Sequence, residues 1–283
     1  MTFKEKYAEL KKLADEYLLL PELYNTLLGD AMLYSLNAGG KRIRPVLTLA
    51  FCEAYGGDIQ KALPAAAAVE MLHTFTLIHD DLPCMDDDDL RRGKPSCHIA
   101  FSEAEAVLAG DALVFYALEK IAEAELPARI IKELCVLTGV KGVIGGQKLD
   151  MIYEGTPATT EQILKMYGLK TCALLQACCI AGCLTAGADE TAVKNAAGYA
   201  YKLGLAFQII DDILDETGDE RTLGKPVKSD NRNKKRTYVS SAGLEAARES
   251  AEKYTREALI LLENVPNGEF LMELTGSLLN RKM

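Results

Sequence analysis

Residues 204–215, GLAFQIIDDILD, set three aspartates into a segment that is otherwise apolar and repeats with helical periodicity. Asp211 and Asp215 are four residues apart and project from one face of that helix, with Gln208 a turn earlier on the same side. A carboxylate in apolar surroundings is costly unless it is paired or bound to a metal. A chain that places this helix in its core must therefore build a polar site inside a helical framework.

A second acidic stretch, His79 to Arg92, reads HDDLPCMDDDDLRR and holds six aspartates and two arginines. At an effective dielectric of about 20, two carboxylates ~4 Å apart repel by roughly 4 kcal/mol, so the cluster attracts cations. Oxygen donors on a proline-interrupted turn suit Mg2+, which keeps several waters and bridges protein carboxylates to phosphates. Arg91 and Arg92 then fit as partners for phosphate oxygens. Taken alone, the run also reads as a solvated acidic loop. A calcium loop needs a DxDxDG spacing ending in Glu, which is missing. Two such clusters facing each other across a cavity would hold a diphosphate through several Mg2+ ions.

The rest of the chain is compatible with helices packed on helices. It has 283 residues and no Pro-, Gly- or Ser-rich linker, so one domain over 1–283 is expected. Aromatic content is 7% and Trp is absent, while alanine and aliphatic segments dominate. A net charge of -9 argues against nucleic acid as a partner. The start, MTFKEKYAEL, lacks the apolar core of a secretory signal. The apolar run 172–188 contains Gln176 and reads as a buried helix with no membrane span. Eight cysteines without a CxxC pair read as reduced core thiols of a cytoplasmic protein. Cys97 beside His98 lacks the further ligands of a zinc site.

Taken in order, residues 2–18 and 22–37 are expected as helices on either side of Pro21. GGKRIRP, 39–45, follows: its glycines allow close approach of a ligand, Lys41 and Arg44 bring cations, and Pro45 can open a helix. A helix cap with solvated charges is the other reading. His73 lies seven residues before Asp80, nearly two turns, so both point along one wall, although a lone His on an apolar helix is commonly a core residue. Pro83 ends that helix and lets Asp86 turn back towards Asp80. Gln147 and Asp150 sit one turn apart, and Lys170 and Thr171 interrupt an apolar helix from which lysine can snorkel. The polar stretch 217–236 is expected as a loop, and long loops in compact domains often act as lids.

In these motifs the chain resembles the trans-prenyl diphosphate synthases, and among them a bacterial farnesyl diphosphate synthase, from Met32 to Lys282. The first motif, DDxxxxD, is Asp80, Asp81 and Asp86 followed by the arginine pair; the second, DDxxD, is Asp211, Asp212 and Asp215. The resemblance implies an all-α bundle around a deep cavity, a homodimer, and condensation of isopentenyl diphosphate with an allylic diphosphate. It implies about three Mg2+ ions on Asp80, Asp86 and Asp211, supported by Asp81, Asp212, Asp215, Gln147 and Asp150. Lys41, Arg44, His73 and Arg92 would hold isopentenyl diphosphate. Arg91, Lys170, Thr171, Gln208, Lys225 and Lys235 would hold the allylic substrate. Lys228 stands where many relatives have glycine, and Ser277 where relatives often carry an aromatic.

Product length is expected from the helix before the first motif. Thr76 and Phe75 lie four and five residues upstream of Asp80, and five residues descend ~7.5 Å. An aromatic at that position in similar enzymes accompanies a C15 product, farnesyl diphosphate; geranyl and geranylgeranyl diphosphate are the alternatives. A terpene cyclase would not need GGKRIRP and Arg92, and a non-catalytic subunit would be expected to have lost the aspartates.

Overall fold

The computed structural model describes residues 1–217 and 236–279, which are helical almost throughout, as the all-α expectation requires. They group into two compact units, Met1–Lys132 with Ala181–Ala188, and Glu133–Ile180 with Asp189 onward.

In the first unit, α1 (Phe3–Tyr17), α2 (Gly29–Leu36) and α3 (Ile43–Ala54) precede the long α4 (Ile59–Asp80), then α5 (Cys97–Ala100) and α6 (Glu103–Glu123). The alanine run Ala65–Ala68 on α4 is fully buried, and α4 packs against both α3 and α6. Small side chains on two faces let helix axes approach closely, so a helix buried on most of its circumference organises this unit. Pro45 falls in the first turn of α3, where its missing N–H forfeits no helical bond.

The expected helix over 22–37 is shorter. Pro21–Leu23 form a single 3-10 turn, Asn25 takes a left-handed φ of 67°, and the α-helix begins only at Gly29. Thr26 Oγ1 donates to the Leu23 carbonyl at 2.8 Å, and that carbonyl lies where a Cβ on residue 29 would be. This local side-chain bond competes with helical pairing.

α4 ends at Asp80, and the Asp86 N–H donates to the Asp80 carbonyl at 2.8 Å, so the loop after Pro83 folds back onto the helix end. A small hairpin follows that periodicity does not reveal: β1 (Leu90–Arg91) pairs antiparallel with β2 (Lys94–Pro95). Its two turn residues, Arg92 at φ 54° and Gly93 at φ 77°, have the positive φ of a type I′ turn.

α7 (Ala128–Thr138) leads on to the second unit, where α8 (Val143–Tyr153), α9 (Thr160–Tyr167), a π-helical turn (Gly168–Cys172) and α10 (Ala173–Thr185) as far as Ile180 precede α11 (Glu190–Thr217). With 28 residues, α11 is ~42 Å long and carries the second aspartate motif at its C-terminal end. α12 (Tyr238–Ala242), α13 (Leu244–Leu262) and α14 (Glu269–Leu279) complete the unit, with α11 packed along α13. Tyr199 is fully buried on α11, its hydroxyl 2.8 Å from Thr275 Oγ1 on α14. The span Thr160–Thr185 is long and apolar enough to cross a membrane, but 72% of its most apolar window is buried inside the protein.

Candidate active site

Two adjacent arginines in the first unit part company. Arg91 Nε donates to Asp81 Oδ1 at 2.9 Å and its Nη2 reaches Asp81 and Asp88. Arg92 instead turns towards the glycine loop, donating to the Gly39 carbonyl, with its guanidinium 3.0 Å from the point where a Cβ on Gly40 would sit. Gly40 has φ 129°, so both its missing side chain and its backbone freedom are used. The hairpin turn between β1 and β2 divides the two side chains. Burial pushes the Asp81 carboxyl above the ordinary carboxylate range, with Arg91 opposing the rise.

The GGKRIRP loop is anchored by a residue that sequence reading passed over. Arg42, at φ 54° and 4% exposed, donates Nε to Asp15 Oδ1, Nη1 to Glu70 Oε1 and Nη2 to the Leu36 carbonyl, each at 2.7 Å. Tyr7 on α1 donates its hydroxyl to the Lys41 carbonyl. With the backbone held from below, Lys41 is exposed and Arg44 half-buried, and Arg44 Nε is buried without a hydrogen-bond partner. A buried guanidinium N–H without a partner is a donor that an anionic oxygen can satisfy.

His73 faces the same region. Burial first, then the charges of Arg44, Arg92, Arg42 and Arg91, hold its pKa well below the ordinary histidine value. Arg92 is lowered too, by burial, with Glu70 opposing and Arg42, Arg44 and Arg91 adding to the fall. Arg42 and Arg91 are already paired with carboxylates, so Arg44 and Arg92 are the cations of this set that can meet a polyanion. Thr76 Oγ1 donates to the His73 carbonyl at 2.7 Å, and Phe75 is buried at 6% exposure.

In the second unit, Lys170 and Thr171 lie on the π-helical turn, an irregularity frequent at functional sites. It fits because Gly146 of α8 has no side chain: a Cβ there would be 2.3 Å from the Lys170 nitrogen. Lys170 Nζ pairs with Asp150, while Gln147 Oε1, one turn earlier on α8, is buried without a partner. Thr171 Oγ1 donates to Gln208 Oε1 at 3.1 Å, and Gln208 Nε2 donates to Asp212 Oδ1 at 3.4 Å. Asp212 Oδ2 also accepts from the Tyr167 hydroxyl at 2.6 Å and the Tyr238 N–H at 2.9 Å. Gln208 thus serves Asp212, its i+4 neighbour. Asp212 and Asp215 are each 4% exposed, whereas Asp211 is half-buried.

The donors gathered at each motif are carboxylate oxygens. Among the described residues no three His, Cys, Asp or Glu side chains close into a metal cage. Mg2+ takes only one or two protein carboxylates and completes its shell with water and phosphate oxygens, so this donor set fits it. His98 Nδ1 lies 3.1 Å from Ser96 Oγ. Lys225, Lys228 and Lys235 lie outside the described residues, and Ser277 is exposed on α14.

The sequence model of the polyprenyl synthetase family matches residues 25–265. The farnesyl diphosphate synthase of Bacillus subtilis is 45% identical over 242 residues, covering 83% of this chain and 82% of the relative. The geranylgeranyl diphosphate synthase of Cyanophora paradoxa is 46% identical over 246 residues, covering 84% and 82%. Among solved structures, the geranyltransferase of Helicobacter pylori complexed with magnesium and isoprenyl diphosphate superposes with a TM-score of 0.81 at 35% identity, covering 97% of this chain and 96% of the other.

Proposed function

The chain belongs to the polyprenyl synthetase family and is a trans-prenyltransferase, and from that premise we propose that it condenses isopentenyl diphosphate with dimethylallyl or geranyl diphosphate to give farnesyl diphosphate. The observation that carries the two-substrate reading is the glycine loop itself, where Arg44 Nε is buried and unpaired and the Arg92 guanidinium packs on Gly40. An enzyme that only ionises one diphosphate has no use for a second polyanion site apart from its aspartates.

In this reading Lys41, Arg44, His73 and Arg92 bind the diphosphate of isopentenyl diphosphate and orient its double bond. Asp80, Asp86 and Asp211 hold about three Mg2+ ions, with Asp81, Asp212, Asp215, Gln147 and Asp150 fixing their surroundings. Bound Mg2+ supplies charge stabilisation for the departing diphosphate. Arg91 and Lys170 orient the allylic diphosphate, with Lys225 and Lys235 as further cations, while Thr171 turns its hydroxyl oxygen to the allylic carbon and Gln208 holds Thr171 and Asp212 in place. The C–O bond breaks, the double bond of isopentenyl diphosphate attacks, and the diphosphate takes the proton that is lost. Exclusion of water protects the cation from quenching.

Phe75 supports the C15 product: a buried aromatic five residues before Asp80 lies at the depth where a tail would stop after two condensations. The C20 reading has its own support, since the Cyanophora geranylgeranyl diphosphate synthase is as similar as the Bacillus farnesyl enzyme. The homodimer is supported by α6, which exposes Val107, Leu108 and Phe115, the last at 74%. A cytoplasmic location is supported by eight free thiols. Incubation with labelled isopentenyl diphosphate, allylic primers and Mg2+, followed by chromatography of the dephosphorylated alcohols, tests the proposal. Farnesol as the main product bears it out, geranylgeraniol selects the C20 reading, and no Mg2+-dependent product rejects both.

A further inference from the structure

His79 is not used by any step above, yet its ring is held on two sides at the end of α4. Its Nε2 lies 3.1 Å from the Val107 carbonyl of α6. A carbonyl oxygen only accepts, so Nε2 carries the proton and the ring plane is set by α6. Gly110, one turn on, leaves the space: a Cβ there would lie 2.1 Å from Nε2 and 2.5 Å from Cδ2. On the other side, His79 meets the ring of Phe75, four residues earlier on the same helix face, edge to face with centroids 5.8 Å apart at 79°.

The imidazole therefore fills the gap between Phe75 and the α6 backbone. An aromatic ring that blocks a growing chain must resist being pushed aside, and a phenylalanine side chain with an empty neighbour can turn into it. We infer that His79 is a positioning residue for product length: clamped by the Val107 carbonyl in the notch made by Gly110, it braces the Phe75 ring and so sets where chain growth stops. The inference rests on Phe75 being the block to elongation. It adds that the block is a pair of rings seated on α6, so residues on another helix share in specificity.

Product distributions of the full-length enzyme test this. His79→Ala, with Phe75 intact, is expected to shift the main product upward by one five-carbon unit. Gly110→Ala, which drives the imidazole towards Phe75, is expected to shift it in the opposite direction. The double variant is expected to return towards the parent, because the new methyl fills space the imidazole leaves. If His79→Ala does not fold, His79→Gln serves, since it keeps a donor for Val107 and lacks a ring; the same upward shift is expected. Phe75→Ala separates the two levels. If it lengthens the product while folded His79 variants keep the parental distribution, the brace is refuted and the block stands. If neither Phe75→Ala nor the His79 variants change the product, both fall.

Discussion

Arg42 and Glu70 form an ion pair at 2.7 Å with both side chains 2% exposed, one at the start of α3 and the other on α4. Glu70 stands one turn before His73, so this pair fixes the glycine loop against the wall that carries His73. Breaking one half of a buried pair costs about 3–5 kcal/mol, and Asp15 remains to offset part of the loss for Arg42. Glu70→Gln should lower stability by about 3 kcal/mol in urea titration. In the folded fraction it should raise the KM for isopentenyl diphosphate more than that for the allylic primer. Equal rises in both KM values would show a scaffold role without preference for this loop.

The aspartates of the two motifs divide by burial, and in the proposed reading the half-buried ones face ligands while the buried ones support them. Asp80, at the end of α4, and Asp211, in the last two turns of α11, are half-buried, while Asp81 and Asp212 are tied to Arg91 and to Tyr167 with Tyr238. Loss of one charge-stabilising group costs ~10² to 10³ in turnover. Asp80→Asn and Asp211→Asn should each lose at least that at saturating Mg2+, measured by steady-state condensation, and near-parental turnover would remove them as metal ligands.

Arg91 and Arg92 face different partners, so their substitutions should separate the substrates. Lysine keeps the charge and loses the bidentate fork. Arg92→Lys should raise the KM for isopentenyl diphosphate by roughly tenfold, equivalent to ~1.4 kcal/mol, and leave the KM for geranyl diphosphate close to the parent. Arg91→Lys should do the reverse, and matched effects on both substrates would argue against the division.

What the sequence made legible follows from periodicity and from charge in unexpected places. Apolar repeats gave the helices, and carboxylates within them gave the second motif. Arg42 was hidden because an arginine beside a lysine reads as another solvated cation and its partner lies 28 residues away. The π-helical turn left only an indirect mark, the Lys170–Thr171 interruption, because backbone hydrogen-bond register has no side-chain signature. Gly110 carries no sequence signal of its role, because the reason for it, the ring of His79, belongs to a different helix.

His73 yields a pH prediction whose sign follows from its surroundings. Burial and the neighbouring arginines hold its folded-state pKa well below the ordinary value of 6.5, so the unfolded chain takes up a proton that the native protein refuses. Stability from this group is complete above the ordinary value and declines as pH falls through it, towards the depressed native value. In urea titrations from pH 7.5 to pH 5, the parent should lose more stability than His73→Gln, which has no imidazole to protonate there. A bound polyanion should offset the arginine charges and move the imidazole back towards its ordinary value. The His73 resonance in NMR should therefore titrate at higher pH with inorganic diphosphate than without it. A resonance unmoved by diphosphate would place the anion elsewhere, whereas an upward shift that Arg44→Gln and Arg92→Gln each reduce would locate it among these cations.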